Sequence, residues 1–207
     1  MVLYNYPLLR QFDFARCSDG LTVLHVGVLC EGRGSITMIE AMDRLVRRVP
    51  GARLLLVGPF DSPSDEAEVR QLIADYGLEK AVEAVGWVPF SDLPVWFARA
   101  DVGLVPWQTE HEFPPRIIPT KMFEYMAARL PVVVSNRPTI RRFLDGLNCG
   151  LLVEPGDAQA LAQAIEHLLT YPAQAQEMGQ RGRQAVERDY RWETEGEKLL
   201  ALYRQVA

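Results

Sequence analysis

The chain has 207 residues, 48% of them hydrophobic and 24% charged, ample for one large or one and a half ordinary soluble domains with a full core. Its net charge of −5 gives no electrostatic footprint for nucleic acid, so a bound phosphate has to be recognised locally. Cys17, Cys30 and Cys149 lie far apart without metal-ligand spacing, which argues against a disulfide framework or a zinc site and for a reducing, cytoplasmic setting; no apolar run reaches membrane-span length, and the N-terminus lacks a signal-peptide layout.

In chain order, residues 1–20 have aromatics and prolines without a clean period and read as an irregular arm with a turn at Asn5-Tyr6-Pro7. Leu21 to Val28 is a first strand, followed by a helix from Gly34 to Val49 with Ile36, Ile39, Met42, Leu45 and Val49 along one stripe and a stop at Pro50-Gly51. Arg53 to Gly58 is a second strand, Asp65 to Tyr76 an amphipathic helix, Val82 to Val88 a third strand and Ser91 to Ala100 a short helix. Val102 to Val105 reads as a buried parallel strand, then a proline-broken loop runs from Trp107 to Pro119, a helix from Thr120 to Arg129 and a strand from Pro131 to Ser135. Thr139 to Leu144 gives a small helix, Gly150 to Val153 a last strand, and Asp157 to Leu169 a helix with Asp157 as its N-cap. Two further helices, Ala173 to Arg188 and Trp192 to Val206, close the chain.

Strands alternating with helices imply right-handed crossovers and a parallel sheet of about six strands covered on both faces, a Rossmann-like doubly wound α/β fold with extra C-terminal helices. Ligands in such sheets bind beyond the carboxyl ends of the strands. The loops at Gly27 to Gly34, Gly58 to Phe60, Gly86 to Val88 and Trp107 to Pro119 all open there, and are expected to converge on one crevice.

Two cations stand out in that crevice. Arg33, in the loop Gly27-Val28-Leu29-Cys30-Glu31-Gly32-Arg33-Gly34, can grip phosphate oxygens bidentately where the backbone passes close to a ligand, although such glycines also serve plain turns. Lys121 sits in the first turn of a helix, where the dipole disfavours a cation, so it is either a solvated lysine or one with an anionic partner. Glu124, one turn on, is either a helix-face carboxylate or a group that reaches sugar hydroxyls. His25 lies in an apolar strand and reads as a hydrogen-bonded core residue rather than a ligand, and the three histidines are not clustered.

The block PTKMFEYMAARLPVVVS, residues 119–135, resembles the nucleotide-sugar-binding segment of the family 4 retaining glycosyltransferases. The Arg33 loop resembles the Gly-x-x-x-x-x-Arg/Lys-Gly loop of that family, and Asn5-Tyr6-Pro7 its interdomain hinge. The resemblance spans about the whole chain and implies the C-terminal, donor-binding half of a two-domain GT-B fold: a hinge over residues 1–20, a donor-binding domain over 21–188 and a crossover helix over 189–207. It implies that Arg33 and Lys121 hold the donor diphosphate, that Pro119 and Thr120 line the donor site with Gly27 and Gly34, and that Gly86, Trp87 and Val88 meet the nucleobase. Trp87 stacks on the base in that view, or packs in the core. Two departures matter. A second basic residue that many members carry after the first glycine is here Val28; of two family glutamates Glu124 matches the second, but the first is here Arg116, so either Glu110 or Glu112 takes over its work or this branch does without it.

The resemblance implies a retaining, metal-independent hexosyltransferase using a UDP- or GDP-sugar as donor, needing no cofactor, acting in carbohydrate biosynthesis with an N-terminal acceptor domain and inactive as this half alone. Without that domain the last helix is expected to expose part of the stripe Leu199, Leu200, Leu202 and Tyr203. A peripheral membrane contact is compatible with these residues. The competing readings are a nucleotide-sugar 2-epimerase on the same fold, which needs a carboxylate and histidine cluster and has only His111 on the crevice side, and a non-catalytic receiver or flavodoxin-like module.

Overall fold

The computed structural model describes residues 2–108 and 118–206. Among these residues six strands form one sheet: β1 Thr22–Val26, β2 Arg53–Val57, β3 Val82–Gly86, β4 Val102–Val105, β5 Val132–Ser135 and β6 Gly150–Val153. All are parallel, in the order β3-β2-β1-β4-β5-β6. This is the Rossmann order, whereas flavodoxins and receivers follow 2-1-3-4-5, so the topology rules out that module.

The helices are α1 Ser35–Val46, α2 Pro63–Asp75, α3 Leu93–Arg99, α4 Thr120–Ala127, α5 Pro138–Leu144, α6 Ala158–Thr170, α7 Pro172–Asp189 and α8 Trp192–Val206. Their starts follow local chemistry. Asp157 caps α6 by accepting from the Ala160 amide at 2.8 Å. α2 begins earlier than its hydrophobic stripe suggests, because Ser62 accepts from the Asp65 amide and Pro63 takes the first helical position. α1 stops at Val46 rather than Val49, and the segment expected as one helix from Ser91 opens instead as a 3-10 turn, Phe90–Asp92, with Pro94 at the start of α3.

Strand residues alternate between two cores. Leu24, Val26, Leu55, Val57, Val132 and Val134 face α3, α4, α5 and the end of α7, while Val23, Leu54, Leu56, Val102, Leu104 and Val133 face α1, α2 and α6. The arm packs into the first of these cores. Tyr6 meets the rings of Phe123 and Tyr190 edge-on, and Phe12 meets Phe97. The start of α8 holds the arm from outside: Glu195 accepts from the Tyr4 amide at 3.0 Å, Glu193 from the Leu9 amide at 3.2 Å, and the Trp192 amide donates to the Pro7 carbonyl. Further along α8 the apolar stripe is exposed as expected, with Leu200, Leu202 and, at 63%, Tyr203 open to solvent.

What positions the site is a parting of two strands. β1 stays paired with β2 through Val26–Val57, but its register with β4 ends at Leu24–Gly103. Backbone groups beyond that point need other partners. The Val26 amide donates to the Tyr125 hydroxyl at 2.7 Å, and the Leu104 carbonyl meets Nδ1 of His25 at 3.2 Å. Gly103 lets Tyr125 reach this position, since a Cβ there would stand 2.3 Å from the tyrosine ring. The sheet thus opens between β1 and β4, the two strands where the chain reverses its winding direction.

Candidate functional site

The opening forms a cleft of about 320 Å³ at the carboxyl edge of the sheet, a size within the range of roughly 300–1,000 Å³ usual for ligand pockets. Its walls bring together His25, Gly27, Arg33, Pro119, Thr120 and Lys121. Arg33 comes from the 3-10 turn Glu31–Arg33, which is zipped to the next loop: the Leu29 amide donates to Pro59 and the Asp61 amide to Leu29. Its guanidinium lies 6.0 Å from the centre of the buried Trp107 ring. Gly34 stands beneath the turn at φ +83, where its carbonyl starts α1 and a Cβ would lie 2.2 Å from the Pro106 carbonyl.

Lys121 does have an anionic partner, and that partner is Glu124. Its Nζ donates to Oε1 at 2.9 Å and Oε2 at 2.7 Å, and it also lies 5.5 Å from the Phe90 ring centre. The Glu124 carboxylate lines not the Arg33 cleft but the neighbouring hollow, between Phe90 at the entry to α3 and Gln11 and Phe12 of the arm. Burial pushes the Glu124 carboxyl up and the Lys121 charge only partly opposes it. The Lys121–Glu124 pair is therefore the partition between two adjoining spaces, one basic and one largely apolar.

The expected single crevice is divided. Pro59, Phe60 and Gly86 line a third hollow with Ser62 and Arg70, separate from the Arg33 cleft, although the Gly58 amide ties the two loops by donating to the Gly86 carbonyl. Trp87 is 72% exposed, which removes the core-packing alternative for it, and Val88 packs partly buried against the core. Neither lines the Arg33 cleft. Glu110, His111, Glu112 and Arg116 lie outside the described residues.

His25 contributes more than the sequence suggested. It is a buried, hydrogen-bonded core residue as expected, at 3% exposure, yet it also lines the cleft. Burial lowers its pKa to about 4, with the Arg33 charge adding to the effect. Tyr125 was likewise read only as part of a motif. The signal that could have found it was Gly103, a glycine inside a four-residue valine-rich strand, which marks a close approach. Among the described residues no group of three His, Cys, Asp or Glu side chains is placed to hold a metal ion.

A Rossmann-order sheet with a basic cleft at its switch point makes this a doubly wound α/β domain with its cleft where such folds place their ligands. Residues 20–171 match the family described as glycosyl transferases group 1, and the chain belongs to that family. It is 30% identical over 190 residues to a GDP-mannose-dependent alpha-(1-6)-phosphatidylinositol monomannoside mannosyltransferase of Mycobacterium tuberculosis, covering 91% of this chain and 49% of that protein. Among solved structures it is similar to sucrose-phosphate synthase from Thermosynechococcus elongatus, with a TM-score of 0.81 and 30% identity over 100% of this chain and 52% of the other. It also shares the fold of Anabaena HepE in complex with UDP and glucose, with a TM-score of 0.84 at 18% identity, covering 99% and 56% of the two chains. The chain spans about half the length of the curated relatives it matches.

Proposed function

We propose that this chain is the donor-binding, C-terminal half of a two-domain GT-B glycosyltransferase, which transfers a hexosyl group from a nucleoside diphospho-sugar with retention of configuration. The observation that carries this reading is that Arg33 and Lys121 both line one cleft at the β1–β4 switch point. Both would face charge developing on a departing diphosphate, the electrostatic role a metal ion plays elsewhere, so the transfer is proposed to need neither metal nor cofactor. Glu124 would meet ribose hydroxyls from the adjoining hollow, and Glu112 would position the sugar.

The acceptor would bind a separate N-terminal domain across the cleft, so the half alone is proposed to bind donor weakly and not to turn over. No described helix is long and apolar enough to cross a membrane. A cytoplasmic setting is proposed from the three free thiols, Cys17, Cys30 and Cys149. Calorimetric titration with UDP, GDP and ADP tests the reading. One diphosphate should bind, and the double variant Arg33→Ala, Lys121→Ala should lose it. Equal binding by the variant would contradict the assignment of the cleft. The mannosyltransferase relative and the HepE complex name different nucleotides, so UDP and GDP are the pair to compare first.

A further inference from the structure

We propose that His25 is a specificity-determining residue of the donor cleft, whose Nε2 accepts a hydrogen bond from a hydroxyl group of the donor's sugar. The inference rests on the nucleotide-sugar reading above and deepens it. Three observations carry it. The ring is 3% exposed, yet it lines the cleft. Two backbone carbonyls act on the ring, Leu104 and Val28, and Leu104, 3.2 Å from Nδ1, is the one in hydrogen-bond geometry, so the ring proton is assigned to Nδ1 and Nε2 presents a lone pair. Nε2 has no hydrogen-bond partner among the described residues. Buried acceptors left in this condition are rare and costly, and a ligand hydroxyl is the group that satisfies one without changing its protonation.

The charge around the ring favours a hydroxyl over an anion. Arg33, from the turn after β1, and Lys121, from α4, are the charged side chains lining the cleft among the described residues, and both disfavour a third cation there. Glu124 is held by Lys121 and turned to the adjoining hollow. Nε2 and Nη1 of Arg33 both lie 3.6 Å from the point where a Cβ on Gly27 would stand, so the two groups flank the same backbone position. A diphosphate gripped by Arg33 would therefore present its attached sugar within reach of Nε2.

The test compares two variants on two ligands. His25→Asn can keep a donor toward Leu104 while deleting the Nε2 position, whereas His25→Gln can keep a polar acceptor at that position. Affinities for UDP and UDP-glucose, and for GDP and GDP-mannose, would be measured on the 207-residue chain by calorimetry. The ratio of sugar-nucleotide to diphosphate affinity should fall about three- to tenfold in His25→Asn and recover at least in part in His25→Gln, as expected for one hydrogen bond. Sugar-nucleotide affinity itself should be flat between pH 6 and 8, where its phosphates do not titrate, and its binding should take up no proton. An unchanged ratio in His25→Asn overturns the inference while leaving the donor cleft intact. So does proton uptake with tighter sugar-nucleotide binding at low pH, which would assign a protonated Nε2 to a phosphate. Failure of every one of these ligands to bind the wild-type chain overturns the donor-cleft reading and this inference with it.

Discussion

Nζ of Lys121 lies 2.9 and 2.7 Å from the two carboxylate oxygens of Glu124, one turn along the same short helix. Each would otherwise be a buried or half-buried charge aimed into a cavity, and together they neutralise one another across the partition between two hollows. A donor that engages Lys121 through phosphate and Glu124 through hydroxyls would replace this pair with two contacts of its own. The free domain holds both residues in place at the expense of a buried carboxylate.

Glu124→Gln is accordingly expected to leave the free domain at least as stable at pH 7, by on the order of 1 kcal/mol, while weakening donor binding. The folded-state pKa of Glu124 is raised, so the folded protein takes up this proton more readily than the unfolded chain. Wild type should thus gain on the variant as pH falls through that pKa, and lose ground above it. Denaturant melts of both proteins from pH 4 to 8 check the sign.

His25 has the opposite dependence. Its pKa falls from 6.5 to about 4 on folding, so its contribution to stability is present above pH 6.5 and is lost as pH drops toward 4. The shift corresponds to about 3 kcal/mol. His25→Asn should flatten the acid limb of the stability curve between those values relative to wild type.

Gly34→Ala should cost at least about 2 kcal/mol, from a non-glycine residue at positive φ and from overpacking against Pro106. Because the same residue sets the Arg33 turn over α1, donor affinity should fall as well. A circular-dichroism melt together with a nucleotide titration separates a folded but weakened site from a chain that does not fold.

Tyr6→Ala should destabilise by about 3 kcal/mol, since Tyr6 fills the space between Phe123 and Tyr190. In hydrogen exchange the Tyr4 and Leu9 amides, held by Glu195 and Glu193, should be protected, and that protection should vanish in Glu195→Ala and Glu193→Ala respectively.

Strand and helix periods made the fold legible: β4 and β6 fall at the residues their valine and leucine runs define, and Asp157 caps α6 as its position predicts. Misplaced boundaries came from turn chemistry at Pro63 and Pro94, where a proline at a helix start outweighs the hydrophobic stripe. Arg33 and Lys121 were legible as candidates for the cleft they line, Arg33 from its glycine-rich loop and Lys121 as a cation in the first turn of a helix. The division of the crevice was not, because it depends on an i,i+3 ion pair chosen in three dimensions and on where β1 leaves β4. Nor was the position of His25 in the cleft wall, because a buried histidine in an apolar strand looks the same in sequence whether its second nitrogen meets the core or a cavity.

The central claim is that the donor enters between β1 and β4. Amide chemical-shift mapping with UDP-glucose and GDP-mannose tests it most directly. A rival hollow of about 360 Å³ lies at the other end of the strands, lined by Arg16, Asp101 and Arg129. Largest shifts at Gly27, Arg33, Thr120 and Lys121 are the predicted result. Shifts confined to Gly20, Asp101 and Arg129, with the Gly27 to Gly34 amides unmoved, would contradict it.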